Sequence, residues 1–465
     1  MNQKLKSKKM LFLYVFVVLI SIPLLAYFFN HYNFNKNQKV YKKEYRKESS
    51  HNELPTFKSL ELEGHQFFPG KTTMPFMDIK VFNPFNDDRV GLFVTGGENQ
   101  KNKVYLYQNE KFNNIAELIN IEGFNEAAYS MVFVDIDNDG LKEIVIGYQS
   151  GIYSYKFNTE KQSYQEPVKI SNIPEGSIPH DISFADTRKS GVTDLFVCTF
   201  VDFAHFTSAT YHDNTNKRPN IFLKNNGDGT FVNMTKEANL EFIENTYLSK
   251  FVDINNNGFP DLVVAPNTNI GLIYENLGDG TFKKHQLPIN YGFWMGLSVD
   301  KITREGNKYY ILMSNVGNSF PVFLLRGDLE KHEVFQKDYV LLEQVNGFEF
   351  KDVTRQKNLY SNVFGWGVAF SDLNNNGRKD AIITENYIKF PLKYHKHFPS
   401  KGKAFMQLKN GTFAPFQNEM KLINPNFGYR VITHDFTGNG YEDVVIGNVD
   451  GPVKVFFNKG VMNKI

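Results

Sequence analysis

Cysteine is almost missing from this chain. Cys198 is the only one in 465 residues, which excludes an internal disulfide framework. It sits in the apolar run Leu195-Phe-Val-Cys198, the setting of a buried, inert thiol rather than a nucleophile. An excess of one charge is missing too. Lysine and arginine number 52 against 50 acidic residues, so no global field steers the chain towards nucleic acid or acidic substrates. No nucleophile elbow, His-Glu-x-x-His or phosphate-cradling glycine loop occurs, which removes the common sequence marks of α/β-hydrolases, zinc peptidases and P-loop enzymes. Long apolar runs are missing except at one place. Leu11 to Phe29 carry no charge, about 19 residues or roughly 28 Å of helix, close to the thickness of bilayer hydrocarbon.

Lys4, Lys6, Lys8 and Lys9 precede that run, and it ends in Ala26-Tyr-Phe-Phe29 without a small-x-small cleavage site. This pattern is that of an uncleaved signal anchor. The expected layout is a cytoplasmic tail over 1–10, a membrane span over 11–29, a flexible polar stalk over 30–54 and one domain over 55–465 on the extracytoplasmic side. Basic residues crowd both flanks of the run, so the positive-inside rule does not set the orientation. It rests instead on the difficulty of translocating a short tail with four lysines.

What is abundant is aromatic: 44 Phe and 24 Tyr, residues that favour pleated, half-buried surfaces. They recur in a repeat. Six heptapeptides align and end in Asp, namely Tyr129 to Asp135, His180 to Asp186, Tyr247 to Asp253, Trp294 to Asp300, Trp366 to Asp372 and Tyr429 to Asp435, with a weaker copy at Met77 to Asn83. Most are followed by a short polar loop and then a β-branched run such as Ile144-Val-Ile-Gly147 or Val444-Val-Ile-Gly447. Hairpin turns follow at Asn226-Gly-Asp-Gly-Thr-Phe231, Leu277-Gly-Asp-Gly-Thr-Phe282 and Asn410-Gly-Thr-Phe413, where Asp-Gly and Asn-Gly supply positive φ. Each unit therefore reads as four antiparallel strands. Seven such units predict an all-β, seven-bladed β-propeller. The last unit has room for three strands only, and Thr56-Phe-Lys-Ser-Leu-Glu-Leu62 is the expected fourth, since an open ring would expose strand edges.

The loops after the heptapeptides carry chemistry. Asp135-Ile-Asp137-Asn-Asp139-Gly140-Leu141-Lys-Glu143 places carboxylates at offsets 0, 2, 4 and 8, with a glycine at 5 and a backbone carbonyl at offset 6, on Leu141. Calcium takes six to eight hard oxygen ligands in a flexible shell, which this spacing supplies. Three further loops substitute amide or hydroxyl oxygens: Asp253, Asn255, Asn257, the Phe259 carbonyl and Asp261; Asp372, Asn374, Asn376, the Arg378 carbonyl and Asp380; and Asp435, Thr437, Asn439, the Tyr441 carbonyl and Asp443. About four calcium sites are expected. In the other units the pattern fails: Arg188 stands at a ligand position between Asp186 and Asp194, Ile302 and Arg304 break the fifth loop, and Phe85 the first. No metal is expected there, and Arg188 is expected to pair with Asp186 or Asp194 instead.

Arg218-Pro-Asn-Ile-Phe-Leu-Lys-Asn-Asn-Gly-Asp-Gly-Thr-Phe231, Gly365-Trp-Gly-Val-Ala-Phe-Ser-Asp372 and Asn448-Val-Asp-Gly-Pro-Val-Lys-Val-Phe-Phe-Asn458 resemble the FG-GAP/VCBS repeat of integrin-α-type propellers, most of all the cartilage-acidic-protein and ASPIC/UnbV-like branch. The resemblance spans roughly residues 56 to 462. It implies a calcium-stabilised propeller used for binding and adhesion, with calcium contacts at Asp135, Asp137, Asp139, Glu143 and their counterparts. The departures are Glu143 in place of the usual closing Asp, three units without the loop, and no UnbV-like tail after the last unit.

The function expected is a non-enzymatic binding or adhesion module on a membrane anchor, with a protein or glycan partner and no nucleic acid. The alternative is an extracytoplasmic polysaccharide lyase or hydrolase. A scaffold subunit of a membrane complex is a third possibility. Candidate ligand-binding residues sit in two insertions after equivalent strands, over 200–219 and 386–402: His205, His212, Lys393, His395 and His397. Loops after equivalent strands can share a face, so both could line one pocket; the other reading is solvated loops with incidental His and Tyr.

Overall fold

The computed structural model describes residues 35–48, 54–64, 74, 76–206, 210–303, 306–317, 325–361, 363–386, 400–449 and 451–461. Seven four-stranded antiparallel sheets account for nearly all of its strands. Their innermost strands are, in order, Ile79–Phe82, Ala128–Val134, Ser177–Ala185, Thr246–Val252, Gly296–Asp300, Gly365–Ser371 and Gly428–His434. These are the repeated heptapeptides, and each touches its neighbours around a ring, which makes the molecule a seven-bladed propeller. The second strands of blades 2, 4, 6 and 7 (Glu143–Tyr148, Asp261–Pro266, Asp380–Glu385 and Asp443–Asn448) are buried at every position. A strand covered on both faces by neighbouring sheets loses the alternation of apolar and polar residues, which is why these segments read as β-branched runs.

Chain order within the blades departs from the simple pattern at two places. Blade 2 carries an extra hairpin, Phe157–Asn158 with Ser163–Tyr164, between its third strand and its fourth. Blade 7 takes its fourth strand from the opposite end of the chain. Pro55–Leu62 pairs antiparallel with Val453–Val461, with Leu60 opposite Val455. Ring closure by that segment, expected from sequence, is therefore present.

The axis is filled. Phe76 meets His180, Phe200 and Tyr247 edge-on and stacks on Tyr429, at centroid distances of 4.7, 5.2, 5.6 and 5.7 Å. Beside this plug the buried Arg430 lies between Asp78 (3.6 Å) and Asp181 (3.7 Å). Cys198 is buried, with its thiol donating to Ser249 Oγ at 3.1 Å.

Antiparallel order divides the connections between two faces. Links from first to second strand and from third to fourth emerge on one side, called here the loop face. Links from second to third strand and from blade to blade emerge on the other, the insertion face.

The flexible stalk expected over 30–54 is not what the described residues show. Residues 35–48 form a helix docked on the rim of blade 6. Gln38 and Tyr45, seven residues apart, fall on one helical face. Gln38 exchanges a reciprocal amide pair with Asn358 (3.0 and 2.7 Å), and Tyr45 packs on Phe416 at 4.8 Å. Lysine-rich composition suggested a solvated linker, but two buried anchors outweigh it. The apolar run 11–29 and the tail before it lie outside the described residues. Among the described residues no helix is long and apolar enough to cross a membrane.

Candidate metal centre and insertion face

Five of the loops after the inner strands share one backbone design. The first Asp of each is held from within its own loop. Asp135 accepts the N–H groups of Asn138 (2.7 Å) and Gly140 (3.0 Å), and Asp253 those of Asn257 (3.0 Å) and Gly258 (2.7 Å). Asp372 and Asp435 repeat the pattern with Asn376 and Gly377, and with Asn439 and Gly440. So does Asp186, with Ser190 and Gly191, in a loop that carries an arginine. The glycine at offset 5 has φ of +87° at Gly140 and +78° at Gly191, a left-handed conformation that favours glycine. Loop shape is thus set by local hydrogen bonds, and it does not by itself distinguish a metal loop from one without metal.

The closing acid does a second task. Its carboxylate clips the loop to the third strand of its own blade. Asp261 accepts from Ile254 N (2.9 Å) and Asn276 N (2.9 Å), Asp380 from Leu373 N (3.1 Å) and Gln407 N (2.8 Å), and Asp443 from Phe436 N (3.0 Å) and Asn458 N (2.7 Å). Burial pushes Asp261 and Asp443 up to about 6, against the pull of those N–H donors.

Only in blade 2 do three acids converge among the described residues: carboxylate oxygens of Asp135, Asp137 and Glu143 lie within 4.8 Å of one another. Glu143 is 1% exposed. Its Oε2 accepts Ile136 N at 2.9 Å, while its Oε1 and Asp137 Oδ1 are buried without a hydrogen-bond partner. Burial, then repulsion from Asp137, Asp139 and Asp135, pushes Glu143 up to about 7. Orphaned buried oxygens within a few ångströms of one another fit a hard divalent cation. Asp139 stands farther out and accepts Leu141 N at 2.8 Å.

Other groups reach the remaining loops. In blade 3 Arg188 forks onto Asp194, with Nη2 at 2.9 Å from Oδ1 and Nε at 3.3 Å from Oδ2, and donates also to the Asn225 carbonyl at 3.0 Å. The expected arginine pairing is present, and Asp194 is the partner. In blade 5 Asp300 pairs with Lys379 of blade 6 at 2.5 Å. In blade 4 Lys189 donates to the Asn257 carbonyl at 3.0 Å and lies 3.9 Å from the ring centre of Phe259. In blade 6 the buried Asn374 donates to Tyr45 Oη of the rim helix at 3.3 Å. In blade 7 Asn439 donates to the Asn458 carbonyl at 2.8 Å.

Sequence reasoning passed over a set of amides that join the loops around the ring. Asn225 donates to the Ile136 carbonyl of blade 2 (2.9 Å), Asn276 to Thr187 of blade 3 (2.8 Å), Gln344 to Ile254 of blade 4 (3.0 Å) and Asn458 to Leu373 of blade 6 (2.9 Å). The available signal was Asn-x-Gly at the end of the third strand, at Asn225, Asn276 and Asn458. The same asparagines accept the glycine N–H two residues on.

On the insertion face the candidates are scattered. His205 pairs with Asp202 at 2.7 Å and His212 with Glu333 at 2.7 Å, and both rings are exposed. Lys393, His395 and His397 lie outside the described residues. The first insertion meets blade 5: Asp328 accepts the consecutive N–H groups of Tyr211 (2.6 Å), His212 (2.9 Å) and Asp213 (2.8 Å). The second insertion leaves from a rigid base. Asn386 holds φ of +106°, strained for a side-chain-bearing residue. Its amide bonds to the Ser400 carbonyl (3.0 Å) and the Asn426 carbonyl (2.7 Å) and accepts Ser400 N (2.7 Å).

No protein-family model matches the chain, and no curated protein matches it. Solved structures do. Two crystal structures of BBS1N in complex with ARL6DN, soaked with lead and with mercury, are 11% and 10% identical to this chain. They cover 88% and 89% of it and 98% and 99% of their own length, with TM-scores of 0.50 and 0.52. A structure of an Agrocybe aegerita lectin that recognises non-reducing terminal N-acetylglucosamine is 16% identical, covers 85% of this chain and 92% of its own, and has a TM-score of 0.43. At these identities the BBS1N likeness bears on the fold alone.

Proposed function

We propose that this chain is a membrane-tethered, extracytoplasmic propeller of the FG-GAP/VCBS type that works as a binding or adhesion module, with calcium in its acidic loops and the partner on its insertion face. The observation that carries the calcium part is the blade-2 centre, where two buried carboxylate oxygens lack partners beside a third acid. Asp135, Asp137, Asp139, the Leu141 carbonyl and Glu143 would hold the ion, and the ion would neutralise acids that now repel one another. The sets around Asp253, Asp372 and Asp435 are weaker candidates, having two carboxylates apiece and amide or hydroxyl oxygens between them. The anchor rests on the apolar run 11–29. The BBS1N propeller was solved with a protein partner, which is in keeping with a protein ligand here.

The filled axis leaves the loops of the insertion face as the natural binding surface, since a rigid scaffold presents them. The decisive measurement is the melting temperature of the detergent-solubilised chain with calcium and with chelator, because a ligand of the folded state raises stability by mass action. A rise in calcium is expected, and identical melts would remove calcium from the proposal. Release of sugars from a polysaccharide panel, lost on mutating His205 or His212, would replace the binding module with an enzyme.

A further inference from the structure

The blade-2 loop is already in contact with a cation, and the cation belongs to the protein. Lys156 follows the third strand Gly151–Tyr155 and opens the extra hairpin. Its ammonium contacts Asp137 Oδ2 and lies 3.0 Å from Asp139 Oδ2. The backbone at this point is fixed, with Gln165 N donating to the Lys156 carbonyl at 2.8 Å. The side chain reaches Asp137 and Asp139 but not Asp135 or Glu143. The inner oxygens, Glu143 Oε1 and Asp137 Oδ1, remain without hydrogen-bond partners.

We propose that Lys156 is a built-in, displaceable counter-cation of the blade-2 loop, so that calcium enters by exchange with it and occupancy is set by that competition. This rests on the calcium reading above. A tethered ammonium neutralises part of the acidic centre when metal is scarce, and yields to a divalent ion that satisfies the inner oxygens as well. Geometry supports displacement. The Lys156 side chain is 45% exposed, on a flexible stem, with single-point contacts; a lysine in such a place gives a weak, easily exchanged pair. Arg188 in blade 3 shows the opposite arrangement on the same loop backbone. Its guanidinium is forked on the fully buried Asp194 and tied to a backbone carbonyl, so that loop is closed to metal.

The test follows Lys156 itself in the full-length chain in detergent, with calcium alone as probe. Labelling of Lys156 by an amine-reactive reagent, read by mass spectrometry, should be suppressed in chelator and rise several-fold in saturating calcium. Lys156→Met should tighten calcium binding at the site abolished by Asp137→Ala by about fivefold, the equivalent of one exposed ion pair. If calcium binds, and Asp137→Ala removes a site, but Lys156 labelling and the affinity of Lys156→Met stay unchanged, the exchange is wrong while the calcium loop stands. If neither wild type nor Lys156→Met binds calcium, both fall.

Discussion

Blades 2 and 3 wind the same loop backbone from different ligand sets, and the contrast separates shape from charge. In both, the first Asp is held by N–H groups at offsets 3 to 5 and the glycine at offset 5 is left-handed. In blade 3 the cation is Arg188, forked onto the fully buried Asp194. In blade 2 a half-exposed lysine reaches two of the four acids, and two buried carboxylate oxygens are orphaned. The lesson is that loop conformation needs no metal. What a metal would relieve is the concentration of negative charge, which differs between the blades.

The largest expected effect comes from Asp194→Ala. It strips Arg188 of its carboxylate and leaves the Asn225 N–H without its acceptor, a loss on the order of 3–5 kcal/mol for a broken buried pair. Urea unfolding should give the same loss in calcium and in chelator; a calcium-dependent loss would mean that blade 3 binds metal after all.

Next comes the pH dependence of blade 2. Glu143 has an ordinary value of 4.5 and sits at about 7 in the fold. A carboxyl raised in the folded state favours folding in its protonated form, so that stability is present below about pH 4.5 and is lost as pH rises through 7. In chelator, Glu143→Gln should flatten that decline, by on the order of 2–3 kcal/mol between the two ends. Calcium should flatten it in the wild type as well, because the metal favours the ionised form. A slope untouched by both would remove Glu143 from the centre.

The smallest effect concerns the residue that couples the two loops. Asn225 gives its backbone N–H to Asp194 and its amide to the Ile136 carbonyl. Asn225→Ala should cost about 1–2 kcal/mol through lost buried hydrogen bonds. If the loops communicate, it should also weaken calcium binding in blade 2 without touching any ligand. An unchanged affinity would show the two loops to be independent.

The seven inner strands and the loop pattern were legible because each is written in neighbouring residues, and the fourth strand of blade 7 because the last unit has room for only three and an open ring would expose its edges. One expectation did not survive contact with distant groups. The stretch 30–54 read as a flexible stalk because its composition is polar, yet Gln38 and Tyr45 find Asn358, Phe416 and Asn374 hundreds of residues away. The spacing of acids along the blade-2 loop says nothing of Lys156, whose ammonium contacts two of them from the end of the third strand. Of the two insertions that could line one pocket, the first is anchored on blade 5 through Asp328, and Lys393, His395 and His397 of the second lie outside the described residues.

By itself the sequence determined the repeat, the blade count and the backbone of each acidic loop, since Asp, Asn and Gly close their hydrogen bonds within about five residues and need no outside partner. Only the tertiary structure decided the electrostatic state of those loops. The groups that meet them arrive from the far end of a strand, as Lys156 does, from the next blade, as Lys379 and Lys189 do, or from the rim helix, as Tyr45 does. A charge acts through space and is indifferent to separation along the chain, so its partner is set by the packing of blades rather than by the order of residues.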